Sequence, residues 1–187
     1  MNSLLEALNH PAEAFKRSNK AVSWGLVTIT ILINSIFEPV LQHFWGVNTP
    51  EIDVLKMLKV TVYGILSYLL ISLAFWAICK CFGSKATLTD HINAWGISYI
   101  PTLLCSIMVA FTEVFFFLFW NSTIWGMLLN IVFVGILIWK AILCFIYLKE
   151  LAGLKGWHIL GASIVMGILI LALASFNGYV GLKTPVL

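Results

Sequence analysis

Five apolar runs, at residues 21–37, 60–79, 101–120, 124–148 and 159–176, follow one another along the chain with short breaks between them. Each comes close to the roughly 20 residues that a helix needs to cross a hydrocarbon layer of about 30 Å. The runs are apolar on every side, whereas a membrane strand alternates lipid-facing and lumen-facing residues over about 10 positions. In lipid the backbone must satisfy its own hydrogen bonds, so such runs predict helices. Five crossings use nearly all of the 187 residues. The chain therefore reads as a single integral membrane domain, residues 1–187: an all-α polytopic bundle of five transmembrane helices with interfacial amphipathic helices and no room for a soluble domain. Charged residues make up 10% of the chain, against about 25% in soluble domains. No small-x-small cleavage site follows the first run; Asn34, Glu38 and Pro39 do, so this run reads as an uncleaved signal anchor.

Lysine and arginine near span ends favour the cytoplasmic side. Lys16, Arg17, Lys20, Lys80, Lys85, Lys140, Lys149 and Lys155 fall on one side, and Lys56, Lys59 and Lys183 on the other. Eight against three predicts a cytoplasmic N-terminus and an external C-terminus. Tryptophan gathers where hydrocarbon meets headgroups. On this topology Trp24, Trp76, Trp95, Trp139 and Trp157 fall near the inner edge, and Trp45, Trp120 and Trp125 near the outer one. The net charge of +3 is then explained by anionic headgroups. The partner it implies is the bilayer, not nucleic acid.

The stretch FGSKATLTDHINAWGISYIPTLL, residues 82–104, interrupts this pattern with glycines, hydroxyls and charges. Thr87 followed by Asp90 resembles a capping box. Leu88, Ile92, Trp95 and Tyr99 then share one helical face, with Asp90, His91 and Asn93 elsewhere on the circumference. That pattern predicts an interfacial helix with His91 at its surface, bent at Pro101 into the third span because proline lacks a backbone donor. Leu4, Leu5, Leu8, Ala12 and Phe15 give residues 1–20 a similar character, a segment lying on the cytoplasmic surface.

Membrane helices pack closely where small residues let backbones approach. One such stripe runs through Ala94, Ser98, Thr102, Ser106 and Ala110, and a second through Ala152, Gly156, Ser163, Gly167, Ala174 and Gly178. Both read as helix-packing seams; the alternative for Ser98, Thr102 and Ser106 is the lining of a polar conduit.

Catalytic signatures such as HExxH, Walker A and G-x-S-x-G do not occur, and His10, His43, His91 and His158 are scattered. Cys79, Cys81, Cys105 and Cys144 show no convergent partner set and read as free thiols in a reducing compartment. The sequence thus gives no catalytic residue, cofactor site or metal site. Ionisable residues in or near spans are costly and mark candidate sites. Glu38 and Glu113 both fall near the outer surface, with Lys56 and Lys59 at the same level, while Lys140 is placed near the inner edge. The two carboxylates read either as snorkelling or lysine-paired edge groups, or as an outward-opening cation or proton site with Asn34 and Asn130 as deeper neighbours.

Three segments resemble the YIP family, the Ypt/Rab-interacting five-span membrane proteins: NHPAEAFKR at residues 9–17, the stretch 82–104, and IWKAILCFIYLKELAGLKGWHILGASIVMGILI at residues 138–170. The first is similar to the N-P-x-x-A-F-x-R motif of the prokaryotic branch, with His10 set between Asn9 and Pro11. The long cytosolic N-terminal region and D-L-Y-G-P-like signature of eukaryotic members are absent, so the resemblance implies a bacterial or archaeal member in the cytoplasmic membrane. It also implies five spans and a cytoplasmic N-terminus. The expected function is a non-enzymatic scaffold that organises the membrane or binds partners, as a homo-oligomer or with another membrane protein. The alternative is a small-solute or ion transporter with Glu38 and Glu113 at its mouth.

Overall fold

The computed structural model describes residues 7–17, 19–46, 51–115 and 122–180, with the backbone alone at 174 and at 176–180. Residues 1–6 of the N-terminal segment, the 116–120 end of the expected third span with Trp120, and Lys183 lie outside the described residues. All regular structure among the described residues is helical. The elements are α1 (Pro11–Arg17), α2 (Lys20–Leu32), a π turn (Ile33–Phe37), α3 (Glu38–Trp45) and α4 (Val54–Cys81). They continue with α5 (Leu88–Trp95), a 3-10 turn (Gly96–Ser98), α6 (Tyr99–Val114), α7 (Thr123–Glu150) and α8 (Trp157–Val180). Runs 20–45, 54–81, 88–114 and 123–150 are long and apolar enough to cross a membrane, and α8 adds a shorter apolar stretch, Trp157–Leu173. The protein is an all-α integral membrane bundle.

Local chemistry sets the helix starts. Asn19 and Asp53 accept from the amides of Val22 (3.4 Å) and Lys56 (3.1 Å). Thr87 and Asp90 form the full capping box: the Thr87 amide donates to the Asp90 carboxylate at 2.9 Å, and the Asp90 amide donates to Thr87 Oγ1 at 3.3 Å. Gly153 (φ 67°) and Gly156 (φ 55°) form the turn before α8 in the left-handed region, which costs other residues most. The π turn has its own cause. Pro39 can give no amide to the Ser35 carbonyl, and its ring would clash there. One widened turn absorbs the conflict, the Glu38 amide bonding to the Ile33 carbonyl five residues back.

The first and third spans run side by side in the same direction. Trp24 Nε1 donates to Asn93 Oδ1, Asn34 Nδ2 to Ser106 Oγ and Gln42 Nε2 to Glu113 Oε2, pairs separated by 69, 72 and 71 residues along the chain. Gly96 lets α2 come close, since a Cβ there would lie 2.5 Å from the Ser23 carbonyl oxygen. Gly64 does the same for α4, where a Cβ would meet the Ile31 side chain at 3.0 Å.

The core lies at the end of the bundle that holds α1 and the α4–α5 and α7–α8 turns, called here the basic end for its lysines. Trp95 is its centre, with ring contacts to Phe75 at 4.6 Å and Tyr147 at 5.0 Å. Phe15 reaches Tyr147 from α1 at 5.8 Å, and Tyr68 meets Tyr99 at 5.5 Å. Residues 94–102 are buried without a break. The segment with the interfacial sequence pattern is thus enclosed by protein. His91, placed at the surface by the sequence, is fully buried and contacts Tyr147. The departure from α geometry falls at Gly96–Ser98, and Pro101 occupies the first turn of α6, where helix amides have no intrahelical carbonyl to bond.

Among the described members of the small stripe Ala152 is buried, and the closest approach along α8 falls beside the stripe, at Gly161. Ile159, Ala162 and Met166 are buried, and at Gly161 a Cβ would meet Phe82 at 2.6 Å. At Gly156 and Gly167 a Cβ would meet nothing within 4 Å. Ser163 is half-buried, and Ala174 and Gly178 lie where only the backbone is described. The physical reason is that a bulky partner such as Phe82 fills the groove beside one glycine, so neighbouring backbones do not close on the whole stripe. The outer faces of α4 and α7, with Leu58, Leu66 and Leu70 on one and Ile131, Leu137 and Ile138 on the other, are exposed, as suits surfaces solvated by lipid.

Candidate functional site

Polar side chains inside the bundle line the contact between the first and third spans. Thr30, Asn34, Glu38 and Gln42 stand four residues apart, and the π turn lies within that column. Opposite them on α6 stand Thr102, Ser106 and Glu113. Thr30, Asn34, Glu38, Thr102 and Ser106 are buried. Asn34 Nδ2 donates to Ser106 Oγ at 3.2 Å and to the Thr30 carbonyl at 3.1 Å. Two turns farther from the basic end, Gln42 Nε2 donates to Glu113 Oε2 at 2.7 Å and to Glu38 Oε1 at 3.4 Å, so one amide ties two carboxylates together. Ser98 is also buried, its hydroxyl turned back to the Trp95 carbonyl at 2.7 Å.

Lys140 joins this seam from α7. Its Nζ lies 2.7 Å from Thr102 Oγ1 and 5.6 Å from the centre of the Tyr99 ring. α7 continues ten residues beyond it to Glu150, which puts Lys140 about 15 Å along the helix from that end, level with Thr102 in the middle of the run 88–114. Among the described residues its amine forms no ion pair with a carboxylate. At the basic end, His91 Nδ1 meets the Tyr147 hydroxyl, and His91 Nε2 is buried with no bonded partner.

The structure thus brings Asn34, Glu38, Glu113, Thr102 and Ser106 together, and adds Gln42 and Lys140. It does not bring in Asn130, which is exposed on α7, or Lys56 and Lys59, which are exposed on the first turns of α4. Gln42 had a sequence signal, its place four residues after Glu38, but carries no charge to draw attention. Among the described residues no group of three His, Cys, Asp or Glu could hold a metal ion, and the four cysteines are free. On the lipid-facing side of the first span lies an apolar groove of about 560 Å³, lined by Ile29, Ile33, Phe37, Val40 and Ile107.

What such a seam can do chemically follows from its groups. Hydroxyls and amides between helices act as interhelical glue, whereas ionisable groups at this depth are costly enough to mark function. A family model described as Yip1 domain matches residues 5–176 of the chain. No curated protein and no solved structure matches it.

Proposed function

We propose, from the premise that this chain belongs to the Yip1 domain family, that it is a non-enzymatic organiser of the membrane that works through its basic end. The observation that carries this reading is the seating of α1. Ala14 and Phe15 are buried, Phe15 packs on Tyr147, and Lys16 pairs with Glu150 at 3.0 Å. Glu13 and Arg17 stay exposed. A short amphipathic helix is thus fixed by one face to the bundle, and its outer face, where Arg17 and Glu13 pair at 4.0 Å, is turned toward lipid headgroups or a partner. The broad apolar faces of α4 and α7 give lipid, a second copy or another membrane protein a place to lie.

Native mass spectrometry of the gently extracted protein is expected to report a mass above the monomer, as a homo-oligomer or with a membrane-protein partner. Phe15→Ala should release α1 and lower that population while the spans stay folded. A bare monomer with neither partner nor retained lipid would count against the organising role.

The same reading puts the basic end in the cytoplasm of a prokaryotic cell. Lys16, Arg17, Lys20, Lys80, Lys85, Lys149 and Lys155 support that orientation even with Lys140 set apart as a deep residue. In a cysteine-free background, a cysteine at position 183 should react with an impermeant maleimide from outside and one at position 17 only after permeabilisation; the reverse would invert the topology.

One observation favours a second reading, a small-solute or ion path with Glu38 and Glu113 at its outer mouth: the buried polar seam reaches those carboxylates from the middle of the membrane.

A further inference from the structure

The polar groups of the bundle form three stations along the membrane normal. The first is Glu38–Gln42–Glu113 at the end far from α1. The second is Asn34–Ser106 with Thr102–Lys140 at mid-depth. The third is Tyr147–His91 at the basic end. Lys140, Cys144 and Tyr147 fall at i, i+4 and i+7 on α7, so they share a face. Ser106 and Thr102 are likewise one turn apart on α6. Two helical turns, about 10 Å, separate neighbouring stations.

We propose that these stations form a proton path across the membrane with Lys140 as its central carrier. The proposal rests on the transport reading above and narrows it to protons. The chemistry of Lys140 carries it. An ammonium this deep would need a counter-ion, and among the described residues no carboxylate lies within ion-pair reach. The titratable groups that do face it are Tyr99 and Cys105 from the third span and Cys144 from its own helix. The 2.7 Å spacing to Thr102 Oγ1 serves both protonation states: the ammonium donates to the hydroxyl, and the neutral amine accepts from it.

A proton taken up by Glu113 or Glu38 passes along hydroxyls and bridging water. At each hop one O–H bond breaks as the next forms. The last hop forms Nζ–H on Lys140, and Thr102 recovers its proton from the Ser106 side. Release runs from Lys140 Nζ through bridging water to Tyr147, whose hydroxyl proton passes to His91 Nδ1 as another arrives; the imidazolium gives its Nε2 proton to water, exchange of the remaining proton from Nδ1 to Nε2 restores the acceptor for the next transfer, and no electron changes hands. Asn34 and Gln42 are amides and orient the carriers instead of carrying protons. Ser35 Oγ in the π turn and His91 Nε2 are buried polar atoms with no bonded protein partner, and such atoms in native structures are commonly met by ordered water.

The test uses the full-length protein in phosphatidylcholine vesicles containing pyranine, with a potassium gradient and valinomycin to set the potential. Wild type is expected to pass protons well above protein-free vesicles. Lys140→Arg keeps the charge and a donor to Thr102 but cannot release a proton. It should cut the flux by about a hundredfold, the usual weight of a positioned proton-transfer group, while its elution and thermal unfolding match wild type. Lys56→Arg, outside the seam, should conduct like wild type. A Lys140→Arg protein that conducts normally would show that Lys140 only supplies charge, and wild type no faster than empty vesicles would overturn the path outright. Sodium or potassium flux without proton flux would overturn the proton assignment and leave the transport reading standing.

Discussion

Gly96→Ala is expected to cost the folded protein at least as much as the upper part of the range of about 1–3 kcal/mol typical of overpacking. A methyl at this position would lie 2.5 Å from the Ser23 carbonyl oxygen and 2.8 Å from its carbonyl carbon. A flexible side chain could rotate away, but here the obstacle includes the backbone of α2, so the whole first span must shift. That shift would also pull Trp24 from Asn93 and Asn34 from Ser106, because both bonds bridge the same two spans. Thermal unfolding of the purified variant in mild detergent measures the loss. Gly135→Ala and Gly167→Ala supply the contrast. A Cβ at either meets nothing within 4 Å, and alanine in a helix interior is favoured over glycine by roughly 0.5–1 kcal/mol. Both should match or slightly exceed wild-type stability. If Gly96→Ala unfolds at the temperature of Gly135→Ala, the first and third spans do not approach as closely as described.

Trp95→Ala should be comparably severe by the opposite physics, a void instead of an overlap. The indole is 2% exposed and packs on Phe75 and Tyr147. Truncating a buried Phe or Trp to alanine costs about 3–5 kcal/mol in soluble cores. Lipid is as apolar as the core, so part of the transfer contribution drops out and lost packing contacts dominate; the expected loss is about 2–3 kcal/mol. Trp95→Phe fills more of the space and should recover most of it. Trp157→Ala, at an exposed position on the first turn of α8, should leave the unfolding temperature close to wild type. Equal behaviour of the Trp95 and Trp157 variants would remove Trp95 from the centre of the core.

The helical bundle was legible in the sequence because lipid imposes a coarse constraint, a run of apolar residues long enough to span it, and the capping box at Thr87 and Asp90 was legible because its chemistry is local. The burial of His91 and of residues 94–102 was not. His91 and Asn93 look like an interface when polarity is taken to mean exposure to water. In a membrane bundle lipid solvates the apolar faces, and small or polar residues can be the ones turned inward. Lys140 reads as an edge residue only when it is grouped by charge with Lys149 and Lys155; eight residues of helix, about 12 Å, already separate it from residue 148, and α7 runs on to Glu150. The closeness of Glu38 and Glu113 was only half legible. Their similar depth could be read from helix rise, but their shared donor Gln42 depends on how two distant spans rotate against each other. The α8 stripe shows the converse limit, since periodicity can mark small residues without saying which of them a neighbour will approach.

The span that ends up most enclosed, residues 88–114, has 61% of its most apolar stretch buried, against 17% for α7. Ribosomes deliver it third, after both α2 and α4, the two elements that hold its glycine and tyrosine contacts. A helix of mean hydropathy 1.6 with a histidine and several hydroxyls is a poor solute in lipid, but it enters the bilayer when two helices are already there to shield it. α7, at mean hydropathy 2.5, can wait alone in the hydrocarbon and dock afterwards through Tyr147. Order of synthesis and order of assembly can therefore coincide, with the interior laid down before its cover.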